Sequence, residues 1–380
     1  MKKQLTVIAC VLGLVLPALA VPEKTEKTFD SKPGQRLVVD LKTGGKILVT
    51  GWKQGKVVVR VEGKSADELP LTVRQTEDGV EVETRFSSEK ANWKRYSGDN
   101  VVSIHVPFKY NLKLRSMGGS IEISGVSGEI TGRTMGGDLK LSDLKGVVYM
   151  KTMGGDVTLK NSHVDGEVRT MGGRVLLEDV VGDVKGSSMG GNVIYRNVKK
   201  KPGQKVTDKV VRISTMGGTV NVDEAPEGAD VHTMGGEITV KSAGKFIKAK
   251  TMGGDIHIDA IDGWVWAKTM GGDVKVFMVG NPAKGDRHAE IVSYGGDIEL
   301  VVPANLSMDV DLKVDIFKNG HNDYSIHSDF GLKVKEEKEW RILKGKKVRT
   351  LRMVGKVGDG KNKVEIRTIN GNIYLRKAKR

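Results

Sequence analysis

From Leu112 to Val276 apolar and polar residues alternate in short runs, and the phase of the alternation flips at every Met-Gly-Gly. Five and three residues before the Met lie pairs such as Ile130/Gly132, Val148/Met150, Val211/Ile213, Ile247/Ala249 and Val265/Ala267. Four and six residues after it lie Leu139/Leu141, Val157/Leu159, Val175/Leu177, Ile238/Val240, Ile256/Ile258 and Val274/Val276. A period of two marks a half-buried strand, so one strand is predicted to run into each Met and another to leave it. The Gly-Gly pair must reset the pleat between them. Glycine can take positive φ without a Cβ clash, so a turn at Gly-Gly fits. No i, i+3, i+4 stripe occurs in the repeat, so no helix is predicted in it.

The flips are periodic. The Met residues stand at 117, 135, 153, 171, 189, 216, 234, 252 and 270, and Ser293-Tyr294-Gly295-Gly296-Asp297-Ile298 follows as a tenth copy. A fixed period of 18 residues holding two short strands and two turns predicts one coil of a parallel β-solenoid, whose inward residues are buried only against neighbouring coils. From Thr43-Gly44-Gly45 to Ile369-Asn370-Gly371 the chain would hold roughly 16 to 18 coils at about 4.8 Å each, a rod on the order of 80 Å long. The interval from Gly44 to Gly118 is then read as degenerate coils. The expected organisation is a leader over 1–20, degenerate coils or a cap over 21–110, the regular repeat over 111–305, and an excursion with closing coils over 306–380. Lys199–Lys205 reads as a basic loop. Asp315–Lys347 reads as a hairpin-like excursion or cap, because exposed end coils invite edge pairing.

Lys2 and Lys3, the apolar run Leu5–Leu19 and the small-x-small site Ala18-Leu19-Ala20 have the layout of a secretory signal cleaved after Ala20. The expected location is the periplasm, the cell surface or the medium, with no transmembrane segment after cleavage. Val7-Ile8-Ala9-Cys10 faintly resembles a lipoprotein cleavage box, but the apolar core before it is too short. Cys10 is the only cysteine, so the mature chain has no disulfide and no thiolate. The formal charge of +15 falls to +13 with the loss of Lys2 and Lys3. That favours anionic partners, and export argues against nucleic acid.

The run Val102-Ser103-Ile104-His105-Val106-Pro107, the approach Leu112-Lys113-Leu114-Arg115-Ser116-Met117-Gly118-Gly119-Ser120-Ile121, the serial Gly-Gly-Asp-Ile/Val elements and the closing Val364–Leu375 carry a family likeness. Together they resemble the bacterial putative-adhesin family of domains of unknown function, over roughly residues 25–376. The resemblance implies a right-handed single-stranded parallel β-helix at the cell envelope and supplies no catalytic residue. The family varies at the Met position, which this chain holds through nine copies.

Three columns recur on the coils. Two residues before the Met stand Arg115, Arg133, Lys151, Arg169, Ser187, Ser214, His232, Lys250 and Lys268. Four consecutive cations one strand spacing apart make a strip suited to a polyanion. Three residues after the Met stand Ser120, Asp138, Asp156, Arg174, Asn192, Thr219, Glu237, Asp255, Asp273 and Asp297. The plainer reading pairs these two columns across the turn, where they would keep the rod soluble. Calcium is disfavoured, because only half of each repeat carries Gly-Gly whereas a calcium roll needs it in both. The Met column is preferred as adaptable filling inside the corner. Facing outward it would be a greasy stripe between charged rails. A thioether site for Cu(I) lacks accompanying His or Cys. Trp264 and Trp266 flank inward Val265, so both should face outward, able to stack on a sugar or anchor a partner.

Gly186-Ser187-Ser188-Met189-Gly190 spells a nucleophile elbow but is the repeat's own Thr-Met-Gly-Gly position with Ser in place of Thr. The sequence therefore reads as an exported, non-enzymatic, adhesin-like protein without cofactor or metal. Its partner would be an anionic envelope glycan or lipid surface, or a cell-surface protein. The candidate contacts are Arg115, Arg133, Lys151, Arg169, Lys250, Lys268, Trp264 and Trp266. A polysaccharide-cleaving enzyme on the same scaffold, with convergent acids beside Lys199–Lys205 or Asp315–Lys347, and a self-assembling rod are the rival readings.

Overall fold

The computed structural model describes residues 25–63, 71–84, 100–199, 210–318, 323–336, 339–343 and 345–379. The expected leader, including Cys10, and all of the expected basic loop but Lys199 lie outside these residues. Among the described residues every regular element is a strand, and all the strands join one hydrogen-bonded network. No helix there is long and apolar enough to cross a membrane.

Two parallel ladders run the length of the repeat. The first is made of strands entering the Met corner: Asn111–Ser116 pairs with Ser127–Thr134, that with Lys145–Lys151, and that with the second half of Val157–Arg169. The second is made of strands leaving it: Ile121–Ser124, Leu139–Ser142, the first half of Val157–Arg169 and Val175–Val181. Each pairing advances by one repeat, as in Ile130↔Val148 and Val157↔Val175. Every like position therefore stacks on itself. The inward set is closed to solvent, with Leu112, Ile130, Val148, Val168, Leu139, Val157 and Val175 all at 0–1% exposure. The long 27-residue step leaves the stack in register, since Ser187 pairs with Ser214 and Val193 with Val220.

The ends depart from the uniform solenoid read from the period. The interval after Gly44 does not add four coils between Gly44 and Gly118. Instead Arg36–Leu41 pairs directly with Asn111–Ser116, and Lys46–Trp52 with Ile121–Ser124. The chain between them supplies Gly79–Thr84 and Val101–Pro107, which pair on the far side of those same two strands. At the other end Asn362–Ile369 and Ile373–Lys377 lie against Ala289–Ser293 and Ile298–Val302. Met308–Phe317 and Ile326–Ser328, earlier in sequence, cover them from outside. Antiparallel strands then finish both ends: Lys56–Glu62 and Leu71–Thr76 at one, Lys346–Val357 at the other. Such strands use up backbone groups that would otherwise template aggregation. A period cannot encode this order, because it is set by pairings across some seventy residues, as in Ile47↔Ile121.

Candidate ligand-binding groove

The corner is built from three polar features. Before each Met a Thr or Ser is buried, from 0% exposure at Thr170 and Thr233 to 4% at Ser188. Its hydroxyl donates to the carbonyl of the second glycine one repeat earlier, as Thr170 does to Gly155 at 2.8 Å. The same oxygen accepts from the second glycine of its own corner, Gly173 N to Thr170 Oγ1 at 3.1 Å. A buried hydroxyl is affordable only with such partners. After the Met, Asp138, Asp156, Asp255 and Asp273 each accept the backbone N–H of the residue one repeat on, at 2.7–2.9 Å. These carboxylates are therefore engaged on the backbone, and the column does not pair across the turn with the cations, as the plainer reading had it.

The glycines are required for closeness. The chain turns at each Met-Gly-Gly as the sequence predicts, but none of these glycines from Gly118 to Gly272 sits in the left-handed region. A Cβ on Gly155 would lie 2.3 Å from the Gly137 carbonyl oxygen, whereas one on Gly154 would stand 3.5 Å from its nearest neighbour. The second glycine lets successive corners stack. Left-handed backbone appears at the opposite corner instead, on Asp143, Asn161, Asp179 and Asn197, which stack one per repeat. Asx residues tolerate that conformation best among non-glycines. Their 18-residue spacing was legible in the sequence and went unread.

With the backbone turned this way, Met points out. Eight of the nine side chains are exposed, from 42% at Met234 to 56% at Met117, and Met189 is half-buried. The preferred inward reading of the column is thus overturned. The buried Thr or Ser fills the place that Met was expected to take.

The strip of cations runs beside this stripe. Register places Arg115, Arg133, Lys151 and Arg169 directly opposite one another on adjacent strands, and Asp40 opposite Arg115. All four are exposed, and among the described residues none makes an ion pair. Between the cations and Met117, Met135, Met153 and Met171 lies a groove of about 670 Å³, closed at one end by Asp40 and Lys42. On the other flank of the cations a second hollow of about 490 Å³ is lined by Lys113, Thr131, Tyr149 and Glu167. This neighbour column was missed in the sequence, although it follows the same period two residues upstream.

The remaining candidates lie apart from that groove. Ser187, Ser214 and His232 interrupt the strip, and Lys250 and Lys268 resume it. The Lys268 ammonium sits 5.3 Å from the Tyr294 ring centroid. Trp264 and Trp266 flank fully buried Val265 on the outer face. Both faces of Trp264 are already occupied, by Phe246 at 5.0 Å and His288 at 5.1 Å. Trp266 lines a smaller hollow with Lys248 and Glu290.

The chemistry of acids and nucleophiles is muted. Ser188 of the elbow-like spelling is buried, with its hydroxyl spent on Gly173 O and Gly191 N. At Asp311 the hydrogen bonds from Arg352 hold the carboxyl below the usual range, and at Asp359 the Ser307 hydroxyl does the same. At Glu122 burial pushes upward, and the hydrogen bonds from Lys46 and Lys140 outweigh it. A general acid needs a shift in the other direction. Among the described residues no cluster of His, Cys, Asp or Glu could hold a metal ion.

No family model matches the chain, and no curated protein does. Several similar solved structures are named as putative adhesins or cell adhesion proteins. A putative adhesin from Parabacteroides distasonis shares 11% identity over 73% of this chain and 97% of its own, with a TM-score of 0.29. A putative adhesin from Bacteroides fragilis shares 13% over 73% and 97%, at 0.24. A putative cell adhesion protein from Clostridium sporogenes shares 9% over 94% and 100%, at 0.17. At these scores the likeness carries no argument about ligand or mechanism.

Proposed function

We propose that this protein is an exported, non-enzymatic, adhesin-like binding protein that holds an anionic ligand of the cell envelope along Arg115, Arg133, Lys151 and Arg169. In this reading the repeats wind as a single-stranded right-handed β-helix, supported by each repeat giving one strand to each parallel ladder. The observation that carries the proposal is the unpaired state of those four aligned cations. Like charges directly opposite in a sheet are destabilising, so folding alone gives no reason to stack them. At other positions stacked charges alternate in sign and pair, as in Lys160–Glu178–Arg196, and the stacked carboxylates Asp138/Asp156 and Asp255/Asp273 are held by backbone N–H groups. A polyanion would supply the missing counter-charge.

The test is retention on an immobilised anionic polymer at low and physiological salt. Changing all four residues to Ser should abolish most of the retention and flatten its salt dependence, because fewer counterions are exchanged. Unaltered retention of that variant at low salt would sink the proposal.

A further inference from the structure

We infer that the ligand is a single anionic amphiphile, seated lengthwise with its charged head on the cations and its hydrocarbon chain on the methionine stripe; this rests on the reading above and names the ligand class. The two rails run together over four consecutive repeats from Arg115/Met117 to Arg169/Met171, where they line the groove, and over only two more at Lys250/Met252 and Lys268/Met270. Beyond that the methionines continue at Met189, Met216 and Met234, while the cation position holds Ser187, Ser214 and His232. The groove therefore lies where both chemistries are present. Its five rungs span four strand spacings, roughly 19 Å, the scale of an extended fatty chain.

Charge complementarity fixes the orientation: Arg115, Arg133, Lys151 and Arg169 line one wall of the groove and the four thioethers the other, with Asp40 and Lys42 closing the end. A tail-less polyanion would use only the first wall and leave the second wet. Exposed contiguous apolar side chains on a soluble surface mark an interaction site. Methionine is also the apolar side chain that adapts best to a flexible partner. The corner beneath is rigid, because each rung is tied to the last through the backbone, as in Gly172 N to Met153 O at 3.0 Å and Gly190 N to Met171 O at 2.9 Å. A straight, preformed trough is thus offered to a chain that must itself be straightened.

The experiment titrates the purified chain with alkyl phosphates of about 8 to about 16 carbons, below micelle formation, and with polyphosphate as the tail-less probe. Affinity for the alkyl phosphates should rise about twofold per methylene, half the free energy of full burial, and level off once the trough is filled. Replacing Met135, Met153 and Met171 by Ser should remove that chain-length dependence, leave polyphosphate binding intact and leave the thermal midpoint unchanged. Replacing the same three by Leu should restore the dependence. The double change Met216→Ser and Met234→Ser, outside the trough and beside Ser214 and His232, should have no effect on it. Chain-length independence in the parent chain overturns the inference while the cation strip stands. Capture by anionic vesicles without any binding of monomeric alkyl phosphate overturns it too, and places the stripe against a bilayer. If the four-cation Ser variant binds polyphosphate as the parent does, the underlying proposal has failed instead.

Discussion

The two strands of each repeat carry the same core and opposite surfaces. On the strands after the corner, stacked charges of opposite sign pair at several positions. Glu122 bridges Lys46 and Lys140 at 3.0 and 3.1 Å, Glu178 bridges Lys160 and Arg196, and Glu299 bridges Lys275 and Arg376. Before the corner, four cations stack on one another without partners, beside a stripe of exposed thioethers. Both surfaces rest on the same parallel pairing at the same spacing, so the fold cannot account for the difference. The paired face shows what the repeat does when only solubility is at stake. The unpaired face departs from that, and the departure is the evidence for a partner.

The strongest way to break the contrast is to break the corner that separates the faces. Gly155→Ala should destabilise the repeat by about 3–5 kcal/mol, because the new methyl meets backbone that cannot move aside. Gly154→Ala should change stability by less than about 1 kcal/mol, since its Cβ finds ordinary contact distance and no left-handed backbone. Denaturant unfolding of the two variants checks both, and equal losses would show that the close stacking is not what the glycine supplies. Next comes Thr170→Val, which leaves Gly155 O and Gly173 N without their buried partner. A loss of about 1–3 kcal/mol is expected, with Thr170→Ser near neutral, as Ser116, Ser188 and Ser293 already serve in this column.

The contrast itself is sharpened by making the paired face resemble the unpaired one. Glu178→Lys puts three cations in a row with Lys160 and Arg196, and should create a second, weaker site for polyphosphate. Polyphosphate that stays confined to the Arg115–Arg169 strip would show that stacking three cations is not enough to make a site. The smallest effect is on pH. Glu122 and Asp311 have folded pKa values below their ordinary ones. Their contribution to stability is therefore complete above the ordinary carboxylate range, about pH 4, and is lost as pH falls through the folded values. Arg and Lys do not titrate there. Acid should lower the thermal midpoint modestly while polyphosphate stays bound, and Asp311→Asn should remove part of the acid sensitivity.

The sequence revealed much of this, unevenly. The period, the two out-of-phase strands and the column of cations could all be read from spacing, because a stacked repeat converts an 18-residue interval into a contact. The direction of Met could not. Thr and Met are both chemically able to fill a corner, and only the hydrogen-bond demands of two neighbouring glycines decide that Thr170 turns in and Met171 turns out. The role of Asp was misjudged for a related reason. Asp156 pairs with the guanidinium of Arg174 in its own column at 3.6 Å, and its nearest donor is that residue's backbone N–H; it does not pair with the cations across the turn. Spacing reports side-chain neighbours well and main-chain donors poorly. The permuted ends were hidden because the pairing of Leu41 with Ser116 leaves no local trace.

Those ends have a mechanical consequence. An array of stacked units ordinarily comes apart from its tips, one outer unit at a time, and its ends set its lifetime. Here Ile373–Lys377, the strand nearest the C-terminus, is an interior member held on both sides. At the other end Thr25–Asp30 lies at an edge against Lys56–Glu62, and Arg36–Leu41 behind it is held on both sides. A force applied at the C-terminus must shear a strand out from between two neighbours, whereas one applied at the N-terminus first detaches the edge strand and only then meets that resistance. The same interleaving delays completion during synthesis, since the stack closes only when the final strands have slotted in behind segments made before them.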